Sequence, residues 1–126
     1  MLVLDASAAA ELLVGKRGRL VAESLGTREI LAPQLLAVEV LSVLRKWTLS
    51  GQLTPERART ALVHLNELDI TWYDVPPLML LAWERHRNVS AYDATYIALA
   101  ETVGCQVITC DARLARAVPE QTLLVV

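Results

Sequence analysis

The sequence predicts one α/β domain, residues 1–126, with a mostly parallel central β-sheet that is covered by helices on both faces. Three observations support this prediction. Short apolar segments alternate with longer helical patterns along the whole chain, which is typical of parallel sheets. Capping residues, prolines and glycines separate the segments. The 126 residues match the common size of one domain, and no repeat, linker or low-complexity stretch divides them.

The composition indicates a soluble protein. The chain is 54% hydrophobic, but its apolar runs are only a few residues long, far below the roughly 18 to 20 residues of a membrane span. No basic leader or cleavage site opens the chain, so no export signal is expected. Cys105 and Cys110 are expected to be buried thiols in a reducing cytoplasm. The net charge of −2 argues against binding nucleic acid by bulk positive charge.

The chain begins with an apolar run, residues 1–4, that predicts the first strand and ends at Asp5. Ser7 is expected to be the N-cap of an alanine-rich helix that continues to about residue 13. The order is therefore strand, candidate site residue, helix.

Residues 20–25 predict a short helix closed by Gly26, and residues 30–32 predict a second strand stopped by Pro33. A longer helix follows over residues 35–50. Its apolar positions lie almost all round the axis, which is usual for a helix that is buried on more than one side.

Thr54 is expected to cap a helix that runs from Pro55 to about residue 68. Residues 70–73 then predict a third strand. Two prolines open a further helix over residues 76–87, because proline is well tolerated in the first helical turn.

Ser90 is expected to cap a helix over residues 91–103, which Gly104 terminates. The alternation then continues to the end of the chain. The last predicted elements are a strand over residues 106–109, a short helix over residues 112–117 and a final strand over residues 123–125.

Asp5 and Asp111 each follow a predicted strand. Ligands in open parallel sheets collect just beyond the carboxyl ends of the strands, so these two acids could face each other across neighbouring strand ends. Each of them would be equally well explained as a turn or capping residue.

Glu39 and Asp93 lie on predicted helices. Glu39 interrupts an otherwise apolar helix, and a lone buried carboxylate is costly; it could instead reach solvent or pair with Lys46 or an arginine. Asp93 lies three residues after Ser90 in a first helical turn, where the helix dipole favours an anion. A capping box would explain Asp93 as well.

A compact α/β fold can bring these four acids to one cleft. Carboxylates about 4 to 5 Å apart repel by roughly 3 to 4 kcal/mol per pair, so such a cluster needs cations or protons. Carboxylate oxygens suit Mg²⁺ or Mn²⁺. The chain has no Cys or His group at ligand spacing and no glycine-rich phosphate loop. Metal-assisted hydrolysis is therefore favoured over nucleotide-cofactor or thiol chemistry.

Four segments carry these acids. They are Val3-Leu4-Asp5-Ala6-Ser7-Ala8, then Pro33 with Glu39, then Tyr92-Asp93-Ala94-Thr95-Tyr96-Ile97-Ala98-Leu99-Ala100, and Val107-Ile108-Thr109-Cys110-Asp111. In order and spacing they resemble the PIN-domain nucleases, and most closely the VapC toxins of bacterial and archaeal toxin-antitoxin pairs. The resemblance covers nearly the whole chain.

The resemblance implies a PIN-like fold and a Mg²⁺- or Mn²⁺-dependent endoribonuclease that is cytoplasmic, homodimeric and silenced by a VapB-like antitoxin. By motif match, the catalytic and metal-binding residues are Asp5, Glu39, Asp93 and Asp111. Ser7 and Thr109 would be hydroxyls that orient the acids or a bound water. Helix capping and strand-end hydrogen bonding would explain these two hydroxyls equally well.

Two positions depart from the family pattern. Ser42 stands three residues after Glu39, where these toxins often have Asn, and Ile97 stands where some relatives carry a fifth acid. The number of metal ions, one or two, therefore stays open.

The expected mechanism has one metal held by Asp5, Asp93 and Asp111, with Glu39 either binding the metal or positioning the attacking water. Hydrolysis would leave a 5′-phosphate and a 3′-hydroxyl, as the resemblance implies. RNA would approach along local basic residues that flank the site in sequence. These residues are Arg85, Arg87, Arg113 and Arg116. The RNA could be tRNA, ribosomal RNA or mRNA.

The helices over residues 35–50 and 55–68 present apolar positions that could serve a dimer mate or an inhibitor, or simply fill the core. Two other functions remain possible. One is a phosphoacceptor receiver-like domain, which the placement of the only lysines, Lys16 and Lys46, argues against. The other is a catalytically idle PIN-like interaction module.

Overall fold

The computed structural model describes all 126 residues and contains one five-stranded sheet. The strands are β1 (Leu2–Leu4), β2 (Ile30–Pro33), β3 (Ile70–Tyr73), β4 (Gln106–Thr109) and β5 (Thr122–Leu124). The helices are α1 (Ala6–Val14), α2 (Gly18–Leu25), α3 (Leu35–Leu49), α4 (Pro55–Glu67), α5 (Met79–Trp83), α6 (Ala91–Val103) and α7 (Ala112–Ala117). Two short 3₁₀ turns lie at Pro76–Leu78 and Pro119–Gln121.

All neighbouring strands are parallel, in the order β3-β2-β1-β4-β5. From β1 to β3 the chain moves toward one edge of the sheet, and through β4 to β5 it moves toward the other. Because crossovers between parallel strands are right-handed, this reversal places the two groups of helices on opposite faces. Helix α1 indeed packs against α2, α3 and α4, whereas α5 packs against α6. The predicted fold class is confirmed, with a sheet that is entirely parallel.

The reversal of direction opens a crevice at the carboxyl ends of β1 and β4, the usual place for a ligand in such sheets. These two strands pair directly, with Val3 opposite Val107 and Leu4 opposite Ile108. A receiver domain has the strand order 2-1-3-4-5 instead. The observed order therefore rules out the receiver-like interpretation.

Helix α6 is the most deeply buried helix of the fold. Every residue from 94 to 100 is buried, and the helix packs on β1, β2 and β4. It belongs to a continuous core of 28 buried residues. Since α6 leads into a parallel strand, its first turn lies at the carboxyl edge of the sheet, where Asp93 is found.

The N-cap of α1 is Asp5, and the prediction that Ser7 caps this helix was wrong. The Asp5 side chain accepts a hydrogen bond from the Ala8 N–H, while Ser7 lies within the first turn. Both residue types are good N-caps, so composition did not distinguish them.

The predicted helix over residues 76–87 is shorter in the structure and ends at Trp83. Beyond it the Arg85 and His86 amides donate to carbonyls three residues back, which is the pattern of tight turns. The His86 ring stacks on Trp83 with centroids 4.3 Å apart. Local contacts thus replace the last helical turn and redirect the chain toward α6.

Helix α3 is buried on one face only, contrary to the expectation from its apolar sequence. Leu36, Val40 and Leu44 are buried, whereas Val38 is 64% exposed and Leu41 is 51% exposed. The core takes only the stripe at four-residue spacing because α3 lies in the outer layer, against α1 and α4. Apolar surface therefore remains open on α3.

The last strand, β5, lies one residue earlier than predicted, which is an ordinary boundary difference. Cys105 and Cys110 are both free thiols, and Cys110 is buried. None of the helices combines the length and the hydrophobicity that a membrane-spanning segment needs.

Candidate active site

The four acids predicted from the sequence lie at the carboxyl edge of the sheet, around the crevice between β1 and β4. Asp5 directly follows β1, and Asp111 lies two residues after the end of β4. Glu39 stands in the second turn of α3, which follows β2, and Asp93 in the first turn of α6. The fold therefore brings residues that are more than a hundred positions apart to one side of the molecule.

Asp5 is almost completely buried, with 4% of its surface exposed. Its Oδ1 accepts hydrogen bonds from the Ala8 N–H at 2.9 Å and from the Ser7 hydroxyl at 2.7 Å. Both bonds go to the same oxygen, so Oδ2 has no hydrogen-bond partner in the chain, and it is not completely buried. One oxygen of Asp5 thus fixes the side chain and the other remains available for a ligand.

The hydroxyls of Ser7 and Thr109 tie the ends of β1 and β4 together. Ser7 Oγ donates to Asp5 and accepts from the Cys110 N–H at 2.9 Å. Thr109 Oγ1 lies 3.2 Å from Ser7 Oγ and accepts from the Asp111 N–H at 3.0 Å. Because the single Ser7 proton is directed at Asp5, Thr109 is the donor in the contact between the two hydroxyls.

Burial raises the pKa of Asp5 from 3.8 to about 6. The hydrogen bond from the Ala8 N–H and the nearby hydroxyls of Thr109 and Ser7 lower the pKa and offset part of this effect, while the negative charge of Asp93 raises it further. Asp5 therefore loses its proton more easily when a positive charge is nearby.

Glu39 and Asp93 are half-buried, and burial is the main reason why the pKa of each carboxyl is raised. Asp93 adds to the upward shift at Glu39, and Asp111 adds to that at Asp93. None of the three ion pairs in the chain includes Glu39. Glu39 is therefore not paired with Lys46 or an arginine, which was the alternative explanation for an acid on an apolar helix.

Asp111 is the N-cap of α7, and its Oδ1 accepts from the Arg113 N–H at 2.9 Å and the Leu114 N–H at 3.4 Å. The Arg113 guanidinium is close enough to Asp93 to lower the pKa of that carboxyl. Asp111 thus serves as a cap with one oxygen, as the alternative interpretation expected, while it also faces Asp93.

Asp93 and Asp111 line a cleft of about 230 Å³ together with Ser90 and Arg113. Asp93 is also coupled electrostatically to Asp5 and Glu39, so all four acids form one negatively charged cluster. Such oxygen donors suit Mg²⁺ or Mn²⁺. No three of them are close enough as they stand to hold a metal ion. The carboxylate oxygens fit a divalent cation by their chemistry, and the spacing of the side chains does not yet form a complete metal site.

The basic residues predicted to guide RNA occupy different settings. Arg85 forms an ion pair with Glu101, so its positive charge is already neutralised within the chain. Arg113 lines the cleft, and Arg87 and Arg116 are exposed. Arg113 is therefore the one of the four that lies beside the acids.

Tyr96 lies in the same segment as Asp93, but the sequence pattern assigned it no role. It lies three residues after Asp93 on α6 and is buried, and it interacts with Glu39, Asp5 and Asp93. The three-residue spacing on one helix face was a usable signal. Proximity to Glu39 on a different helix could not be inferred from spacing.

Comparisons with known proteins agree with this fold. The PIN domain family matches residues 2–118. Ribonuclease VapC9 of Mycobacterium tuberculosis is 38% identical over 117 residues, covering 91% of this chain and 89% of the relative.

Two solved structures share the fold. PAE2754 from Pyrobaculum aerophilum superposes with a TM-score of 0.72 at 23% identity, covering 97% of this chain and 87% of the other. VapC20 of Mycobacterium tuberculosis, described as a sarcin-ricin loop cleaving toxin, superposes with a TM-score of 0.69 at 18% identity, covering 94% and 95%. The family match over most of the chain, and the identity to a VapC ribonuclease, show that this chain belongs to the PIN-domain family and, within it, to the VapC ribonucleases.

Proposed function

We propose that the whole chain, residues 1–126, is one metal-dependent endoribonuclease domain that acts in the cytoplasm as the toxin of a type II toxin-antitoxin pair. The observation that supports this most strongly is the placement of Asp5, Glu39, Asp93 and Asp111 at the carboxyl edge of the sheet, where Asp93 and Asp111 line one cleft. Four coupled carboxylates at the carboxyl edge of a parallel sheet suit a divalent cation and a phosphodiester substrate.

In this proposal Asp5, Asp93 and Asp111 hold Mg²⁺ or Mn²⁺, and Glu39 either joins them or positions the attacking water. When bound, the cation would supply positive charge next to the scissile phosphate and favour ionisation of water. Asp5 contributes a carboxylate fixed by two hydrogen bonds, so little reorganisation is needed at that ligand.

Arg113 is proposed to contact the RNA backbone. It lines the cleft beside Asp93 and Asp111, and a guanidinium can make two hydrogen bonds to one phosphate. The acids repel the negatively charged RNA backbone. The positive charge of Arg113 beside them offsets that repulsion locally. Arg87 and Arg116 extend this role along the exposed surface.

The direct test is incubation of purified protein with total cellular RNA in Mg²⁺, Mn²⁺ or chelator, followed by mapping of the new 5′ ends. We expect discrete cuts that carry 5′-phosphates and disappear with chelator. The mapped positions identify the RNA class, whether tRNA, ribosomal RNA or mRNA. Cleavage that persists in chelator would contradict the metal-dependent site.

The partners proposed are a second copy of the chain and a VapB-like antitoxin, both on exposed apolar surface. One such surface is a groove between α3 and α4 of about 360 Å³, bordered by Arg45 and Arg59. Another is α5, none of whose residues is buried. Protein that is purified together with the cognate antitoxin should not cleave RNA. Leu41→Glu in the groove and Leu80→Glu on α5 would show which surface each partner uses, because each variant should lose binding to the partner that contacts its surface.

A second candidate function is a catalytically idle PIN-like interaction module. It is favoured by one observation, that no three acids are close enough as they stand to hold a metal ion. Metal binding measured by calorimetry without any cleavage of total RNA would support this function over the nuclease.

A further inference from the structure

The hydroxyl of Tyr96 is the one buried side-chain nitrogen or oxygen atom in the chain that has no hydrogen-bond partner. Tyr96 is 1% exposed and is the largest of the fully buried side chains. Its ring packs in the continuous core on α6. Phenylalanine would fill the same space, so packing alone does not account for the oxygen.

An unpaired buried hydroxyl reduces stability, because the group gives up its hydrogen bonds to water and gains none in return. Native proteins satisfy most such groups, and each exception needs an explanation. The position of Tyr96, one turn after Asp93 on the same face of α6, places this exception beside the acidic site.

Three acids of the candidate site affect the pKa of the Tyr96 hydroxyl. After burial itself, Glu39 is the main cause that raises the pKa of Tyr96, and Asp5 and Asp93 raise it further. The interaction is mutual, since the hydroxyl lowers the pKa of Glu39. The buried Tyr96 hydroxyl therefore lies near the Glu39 carboxyl, although the pair does not form a hydrogen bond of ordinary geometry.

We propose that Tyr96 is a positioning residue whose hydroxyl donates a hydrogen bond to the Glu39 carboxylate and holds it toward Asp5 and Asp93 when the site binds a divalent cation. This inference rests on the proposed nuclease site. Glu39 needs such a partner because no lysine or arginine forms an ion pair with it. Groups that orient metal-binding side chains in this way typically change affinity or activity by roughly 10- to 100-fold.

The test is Tyr96→Phe, which removes one oxygen and leaves the ring. We expect Mn²⁺ affinity, measured by calorimetry, to fall by roughly 10-fold or more, and RNA cleavage to fall in parallel. The metal-free variant should unfold at the same temperature as the wild type or at a higher one. Tyr73→Phe, on β3 two strands away from β1, is the matched control and should leave Mn²⁺ affinity unchanged.

A double-mutant cycle shows whether Tyr96 acts through Glu39. Glu39→Gln combined with Tyr96→Phe should lose no more Mn²⁺ affinity than Glu39→Gln alone. Independent losses that add together would overturn the proposal, as would unchanged Mn²⁺ affinity in Tyr96→Phe. A lower unfolding temperature of the metal-free Tyr96→Phe protein would also overturn it, because the hydroxyl would then have a structural role.

The outcomes separate this inference from the proposed function. Wild-type cleavage together with full activity of Tyr96→Phe removes the role of Tyr96 and leaves the nuclease intact. Mn²⁺ binding that depends on Tyr96 without any RNA cleavage supports the positioning role and removes the nuclease. Absence of Mn²⁺ binding by the wild type overturns both.

Discussion

At the scale of single residues, three of the four acids lie at the N-terminus of a helix. Asp5 caps α1 and accepts the Ser7 hydroxyl, while Asp111 caps α7. Asp93 follows the cap Ser90, whose hydroxyl accepts the Asp93 N–H at 3.1 Å. For Asp5 and Asp111, the capping side chain is therefore also the candidate site residue, and the two explanations weighed for each of them are compatible.

The raised pKa of Asp5 predicts a pH-dependent stability of the metal-free protein. Because the folded-state pKa of about 6 exceeds the ordinary 3.8, the folded state binds the proton more tightly. This stabilisation, about 3 kcal/mol, is fully present below pH 3.8 and is lost as the pH rises through 6.

Urea unfolding in chelator between pH 4 and pH 7 measures this effect when wild type is compared with Asp5→Asn. The stability of the wild type relative to the variant should decline with rising pH, by about 3 kcal/mol at most. A constant difference between the two proteins across this range would show that Asp5 is not perturbed by burial.

Ser7→Ala tests the link between the two strand ends. The substitution leaves the Cys110 N–H without its partner and removes one bond from Asp5. We expect a loss of about 1 to 3 kcal/mol in the free energy of unfolding and a fall of roughly 10- to 100-fold in RNA cleavage. Ser50→Ala, at the exposed far end of α3, is the control and should retain full cleavage.

At the scale of secondary structure elements, α6 connects the core to the site. It buries seven consecutive residues and carries both Asp93 and Tyr96. Its two ends were predicted from Ser90 and Gly104, and both predictions are confirmed. The end of α5 was not predictable from the sequence. The turns after Trp83 depend on the stacking of the His86 ring on Trp83 and on hydrogen bonds to carbonyls three residues back.

Gly104 ends α6 with a left-handed conformation, φ 76°, which favours glycine. Gly104→Ala should therefore lower the free energy of unfolding by about 1 kcal/mol, measured by urea denaturation. Gly104→Asn should cost less, since asparagine adopts this conformation more readily. Equal stability of the alanine variant and the wild type would contradict this assignment of the cap.

At the scale of the whole molecule, the alternation of strands and helices was sufficient to predict an α/β fold with both faces of the sheet covered. It did not give the strand order, because pairing between β1 and β4 joins segments about a hundred residues apart and has no local pattern. The positions of the four acids at strand ends and on helices singled them out, and the resemblance assigned them catalytic and metal-binding roles. The hydrogen bonds among Ser7, Thr109 and Asp5, and the unpaired Tyr96 hydroxyl, depend on that pairing and required the structure.

The exposed apolar surface predicts association in solution. Leu80 on α5 is 85% exposed, and exposed apolar patches commonly mark interfaces. Light scattering of the purified protein should give twice the chain mass of 13.9 kDa. If α5 forms the dimer contact, Leu80→Glu should shift the mass toward one chain. A monomeric wild type at tens of micromolar protein would contradict the homodimer.

The central claim is that the acidic cluster performs the cleavage, and Asp93 is its common member. The most direct measurement compares cleavage of the mapped RNA by wild type, Asp93→Asn and Asp69→Asn in Mg²⁺. Asp69 is an exposed acid that precedes β3, at the opposite edge of the sheet, so its variant makes the same chemical change outside the site. We expect Asp69→Asn to cleave like the wild type and Asp93→Asn to lose roughly 100-fold or more, with both variants folded by circular dichroism. Wild-type cleavage by Asp93→Asn would contradict the account.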